Sequence, residues 1–183
     1  MLKKISFVLF LFISACATPS QDARIEIFPK VSPSDIGMGT TLAITVDDAR
    51  STGVIGTMGK ESQIVTSQDL AELIGLSLVD SFSKQGFTVS SASDPSAVKV
   101  IVSLEDLSYS KDCNLVTTDV ETKSRIKVDV SSKGFIRTYS NSEERTVPFS
   151  SNEDSNNSQL RSILENLVEK IVNDQELINA LKR

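Results

Sequence analysis

The chain has 183 residues with 19 basic and 24 acidic side chains, a formal net charge of −5, and neither histidine nor tryptophan. Without an imidazole there is no Ser-His-Asp triad, no Cys-His pair and no typical zinc site. The acidic balance also makes the chain a poor binder of nucleic-acid phosphates and of anionic lipid surfaces.

Met1-Leu2-Lys3-Lys4 supplies a positive start, and Ile5 to Ile13 is apolar apart from Ser6. That matches the roughly 7–15 residue apolar region of a secretory signal and falls short of the about 20 residues that span a bilayer. Ile13-Ser14-Ala15-Cys16 looks like a bacterial lipobox, in which small residues fit the signal peptidase and the cysteine thiol receives a diacylglyceryl group. Residues 1–15 are therefore expected to be a lipoprotein signal peptide, with Cys16 as the lipid attachment site. Ala17, where an Asp would retain such a protein in the inner membrane, implies an outer-membrane anchor and a domain facing the periplasm. Residues 16–23 are expected to be a short tether, reaching roughly 23 Å over seven residues.

Removal of residues 1–15 takes away Lys3 and Lys4 and no acid, leaving 17 basic and 24 acidic side chains and a net charge of −7. The remaining length favours one domain, over residues 24–183. Cys113 is the second of two cysteines. With Cys16 lipidated, Cys113 has no intramolecular partner; it is either a small buried side chain or an exposed thiol that pairs between chains.

In "RIEIFPKV", Ile25, Ile27 and Val31 fall on alternate positions, predicting a strand whose Pro29 marks an edge. "LAITVDD" alternates likewise through Leu42, Ile44 and Val46. "RSTGVIGTMGKES" predicts a loop or wide hairpin. Its Gly-Lys pair is no phosphate-binding loop, because Val54 stands where the first glycine is needed and Glu61 follows Lys60.

"TSQDLAELIGLSLVDSFSKQGFTV" predicts a helix opened by a Thr66/Asp69 capping box, with Leu70, Ala71, Ile74, Leu78, Val79 and Phe82 on one face. Leu73 and Leu76 fall in its polar arc, as incidental exposure or as a contact surface. Gly86 ends the helix, and Phe87 with Val89 begins another strand. Val98, Val100, Val102 and Leu104 then alternate along a half-buried strand with Ile101 on the opposite face. "SRIKVDVSSKGFIRTYS" predicts a hairpin turning at Ser132-Lys133-Gly134, and "TVPF" a closing strand. "SSNEDSNNS" is expected to be a solvated connection. Last comes an amphipathic helix with Leu160, Ile163, Leu164, Leu167, Val168 and Ile171 in one stripe, then a short turn capped by Asp174. The expected architecture is α+β: a mainly antiparallel sheet of about five to seven strands with two principal helices on one face.

The order of these elements, carried by "RIEIFP", "AITVDDAR", "QIVTSQDLAELIGLSLVDSFSKQGFTV", "VKVIVSLEDLSYS" and "IVNDQELINALKR", resembles the YajG family of bacterial outer-membrane lipoproteins. The resemblance implies an address and a fold, and no catalytic activity comes with it. The leading expectation is a non-enzymatic binding or assembly accessory of the cell envelope, held to the membrane through Cys16 and meeting an envelope protein or peptidoglycan, with no nucleic acid, cofactor or metal. Two alternatives stand beside it. One is a carboxylate-based hydrolase using Asp47, Asp48, Glu105 and Asp106; the other is a carrier of an apolar ligand between sheet and helices.

Overall fold

The structure, a computed structural model, describes residues 20–58, 62–113, 116–148 and 152–182. Cys16, Lys60, Phe149 and the Cys113 side chain lie outside the described residues. Among those described, eight strands form one mixed sheet: β1 (Gln21–Asp22), β2 (Thr41–Asp48), β3 (Val54–Met58), β4 (Ser62–Val65), β5 (Thr88–Val89), β6 (Val98–Cys113), β7 (Thr117–Val130) and β8 (Phe135–Pro148). The helices are α1 (Leu70–Lys84), α2 (Glu153–Val172) and α3 (Gln175–Lys182). The α+β architecture expected from the sequence is thus observed.

Strand β6 organises the sheet. Along one edge it pairs antiparallel with β7, which in turn pairs with β8 from Val130↔Phe135 to Thr117↔Pro148. Along its other edge β6 carries two parallel partners end to end: β2 from Leu42↔Val98 to Asp48↔Leu104, then β3 at Gly56↔Tyr109. Strand β4 returns antiparallel to β3, β1 lies parallel to β4, and β5 covers only the start of β2.

Helices α1 and α2 cover one sheet face because their apolar positions repeat at the helical period. Leu70, Ile74, Leu78 and Phe82 of α1 and Leu160, Ile163, Leu164, Leu167, Val168 and Ile171 of α2 are all buried against Leu42, Val100, Val102, Leu104, Ile126 and Val128. Each such side chain contributes roughly 1.5–3 kcal/mol. The far end of α1 stops at Gly86, whose φ of 83° is open to glycine at little cost. The loop before β2 satisfies that end, since the Ser34 and Gly37 amides donate to the carbonyls of Lys84 and Gln85. Gln85 Nε2 donates to the Val172 carbonyl at 2.9 Å and so ties the ends of α1 and α2 together.

Three expectations are corrected. Residues 23–30 bury every second side chain, but only Gln21–Asp22 joins the sheet; the rest runs as an extended strap held by side chains of α2 and of the turn before α1. Gln68 Oε1 accepts from the Ile25 amide at 2.6 Å and its Nε2 donates to the Ile25 carbonyl, while Glu165 and Glu169 of α2 accept from the amides of Phe28 and Lys30. The helix cap is also different. Asp69 accepts from the Glu72 amide, whereas the Thr66 hydroxyl donates to the Ala23 carbonyl and holds the strap. Finally, much of "SSNEDSNNS" is helix. Asn152 caps α2 by accepting from the Ser155 amide, and Asn156 is buried, taking the Tyr109 hydroxyl on Oδ1 and donating to Gln21.

Candidate functional site

The four acids singled out in the sequence sit at and just beyond the paired stretch of β2 and β6, and three of them are held by different neighbours. Asp47 accepts from the Ser103 hydroxyl at 2.9 Å, and Asp106 accepts from Ser108. Asp48 is gripped by Arg50, with Nε at 2.8 Å and a second nitrogen at 2.7 Å, which holds its carboxyl below the usual range. Glu105 falls at the register shift between Leu104 and Asp106, where one extra residue re-aims the strand. Successive strand residues face opposite sides, so the geometry does not gather these carboxylates around one point.

A second polar cluster fastens α3 to β8. Asp174 Oδ1 accepts from the amides of Glu176 and Leu177, capping α3 as the sequence indicates, and Leu177, Ile178 and Leu181 are buried beneath it. Asp174 Oδ2 accepts from Arg137 at 2.5 Å and from the Tyr139 hydroxyl at 2.6 Å, and Arg137 also pairs with Glu176. Burial, with Asp174 as hydrogen-bond acceptor, pushes the Tyr139 phenol well above its ordinary value. Burial alone would raise Asp174, but the donors from Tyr139, the Glu176 amide and Arg137 outweigh it and hold the carboxyl below its usual value. A depressed carboxyl stabilises the fold above its unfolded-state value, near pH 4, and loses that contribution as pH falls through the lower folded-state value. Thermal melts from pH 7 down to pH 2 should therefore show a steeper fall for the native chain than for Asp174→Ala. That variant is expected to lose about 1–3 kcal/mol at pH 7, because the buried Tyr139 hydroxyl loses its acceptor.

Helix α1 and the strap enclose the candidate binding site. Alternation turns Ala23, Ile25 and Ile27 down into the helix layer, leaving Phe28 pointing out and 69% exposed. Across from it Leu76 of α1 is 63% exposed, and Leu73 is half-buried. Between them lies a cleft of about 500 Å³ lined by Ile25, Ile27, Phe28, Pro29, Leu73 and Leu76, with Glu26, Asp80 and Lys84 also in its wall. The Ser77 hydroxyl in this wall is buried without a hydrogen-bond partner. Asp80 and Lys84 pair with each other across one helical turn, which leaves the apolar floor as the site's main chemical feature. Leu73 and Leu76, in the polar arc of α1, line this cleft together with the strap. A larger cleft, about 600 Å³, lies over the far ends of β6, β7 and β8, and its lining includes the acids Asp112, Asp119, Glu121 and Glu144.

The space between sheet and helices, which an apolar ligand would have to occupy, is filled by Leu78, Phe82, Leu160, Leu164 and Leu167, each at most 1% exposed. Among the described residues no group of acids and cysteines has a metal-holding arrangement, and no helix is long and apolar enough to cross a membrane.

A family model described as an uncharacterized lipoprotein matches residues 29–182. No curated protein sequence matches the chain. Two solved structures are similar in outline. One, of an uncharacterized protein, is 10% identical with a TM-score of 0.44 and covers 81% of this chain and 97% of its own. The other, a "putative neuraminyllactose-binding hemagglutinin homolog" from Helicobacter pylori, is 8% identical with a TM-score of 0.43 and covers 87% of this chain and 97% of its own.

Proposed function

Because this chain belongs to the Lipoprotein_16 family of uncharacterized lipoproteins, the family that includes YajG, we propose that it is an outer-membrane-anchored, periplasm-facing accessory that binds an envelope protein through the cleft between the strap and α1. The reading is non-enzymatic. The observation that carries it is the pair of large apolar side chains, Phe28 and Leu76, left exposed on either side of an apolar cleft. Scattered single exposed apolar residues need no explanation, but a concave apolar surface with charged walls has the make-up of a recognition site. The lipobox ending at Cys16 supplies the anchor in this reading, and the strap begins only a few residues beyond it.

Covering Phe28 or Leu76 completely would contribute roughly 1.5–3 kcal/mol each. A photo-crosslinking amino acid in place of Leu76, in cells carrying the full lipidated chain, is expected to trap one reproducible protein partner. Phe28→Ala should reduce that adduct about tenfold, as expected for a loss near 1.4 kcal/mol. The same crosslinker at Ile136, which is 60% exposed on the opposite face of the sheet, serves as the control. An absent adduct, or one identical from both positions, would overturn the proposal.

A further inference from the structure

We propose that β8 pairs edge to edge with β8 of a second copy of this chain, about a twofold axis at Ser140, so that the two sheets become one. Strand β8 is paired with β7 over 14 residues, and no described strand pairs with its other edge. An edge of that length offers a row of backbone donors and acceptors that folds normally cover, shorten or interrupt. Its charge is balanced, as is that of β7. In a chain of net charge −5, β8 carries two arginines, Arg137 and Arg145, and two glutamates, Glu143 and Glu144, so it does not repel a copy of itself.

The sequence of β8 selects the register. A twofold axis normal to the sheet keeps the helices of both copies on one side, so residues that meet must point to the same face. With the axis at Ser140, Arg137, which within one chain bonds Asp174 and Glu176, comes opposite Glu143, which within one chain accepts from Arg145, Ser162 and Asn166, and Phe135 meets Arg145, each twice by symmetry, while Thr138 meets Ser142 on the other face. An axis at Asn141 sets Arg137 against Arg145, a repulsive cross-strand pair. An axis at Tyr139 sets Phe135 against Glu143, and one at Ser142 sets Arg137 against Val147; neither matches Arg137 with an acid. Lys170 of α2 donates to the Ser140 carbonyl at 3.2 Å and to Asn141 Oδ1 at 3.0 Å, so it occupies the centre of this edge in the single chain. Pairing transfers that carbonyl to the second copy and leaves Lys170 on Asn141.

The register is tested by cysteine crosslinking of the full chain in membranes, with Cys113→Ser as background. Directly opposed strand residues have Cα atoms about 4.5–5.5 Å apart, within disulfide range. Ser140→Cys should therefore give a disulfide-linked dimer under mild oxidation. Ser142→Cys, whose two copies would lie roughly 13 Å apart, should not. Both positions are exposed on the sheet face away from the helices, so neither substitution disturbs the core. Thr138→Lys combined with Ser142→Lys places lysines opposite each other. Added to the Ser140→Cys chain, the pair should abolish its disulfide-linked dimer without lowering the melting temperature by more than a few degrees. Equal crosslinking from positions 140 and 142, none from either, or adducts with a different protein would overturn the proposal.

Discussion

Cys16→Ser is expected to move the protein entirely from the membrane fraction to the soluble fraction and to abolish its labelling by fatty acid. The argument is one of anchor number. Each buried methylene contributes about 0.8 kcal/mol, a single acyl chain holds only marginally, and two or more hold stably. Serine presents no thiol for the diacylglyceryl transfer, so all chains are lost together. Among the described residues nothing replaces them, because the acidic surface is repelled by anionic headgroups and no described helix spans a bilayer. The fold itself should be untouched, since the first described strand begins at Gln21. Fractionation with acyl labelling and a melting curve on the released domain check both halves. Retention of the Cys16→Ser protein on membranes would reject the anchor.

Gly56→Ala is expected to destabilise the domain by about 1–3 kcal/mol or more, a loss on the scale of overpacked cores. In β3 this glycine faces Tyr109 of β6, and a Cβ there would stand 1.9 Å from the Tyr109 carbonyl oxygen. The obstacle is backbone in the long central strand, so no side chain can rotate away to make room. Strand β3 must lift off, and with it the β3–β4 hairpin, the β1 pairing and the buried Met58–Asn156–Tyr109 contacts. For a domain of this size 1 kcal/mol corresponds to about 2–4 °C, so calorimetry should record a fall of roughly 2–12 °C. Gly53→Ala is the control. Its Cβ would meet nothing within 4 Å, and the melting temperature should stay within about a degree.

Both principal helices are legible in the sequence because each buries a stripe at a period no strand shares, and the long hairpin is legible because Ile126, Val128 and Val130 alternate into a turn. The strap is not. Its period of two reports that every second side chain is buried, and that is equally true whether the backbone bonds to a strand or, as here, to Gln68, Glu165 and Glu169. The start of α2 is hidden for a related reason: Asn152 to Ser158 is polar throughout, and Asn156 is buried by hydrogen bonding to Tyr109 and Gln21 rather than by hydrophobicity. The acidic pairs are visible in the sequence, but the arginine that neutralises Asp48 shows only in the geometry. The apolar cleft depends on Phe28 and Leu76 meeting across two elements far apart in the chain. Leu73 and Leu76 in a polar arc are its local trace.

The way residues 23–30 are stitched down has a mechanical consequence. A pull on the N-terminus runs lengthwise along this segment, so the bonds from Val65, Thr66, Gln68, Glu165 and Glu169 resist together in shear instead of opening one after another. Two of those bonds end on one helix and the Gln68 pair sits just ahead of the other, so under the proposed anchoring at Cys16 tension on the N-terminus is shared between both helices. Under the same proposal the domain would turn with the strap as a single lever, and a partner bound in the cleft would feel each tug directly.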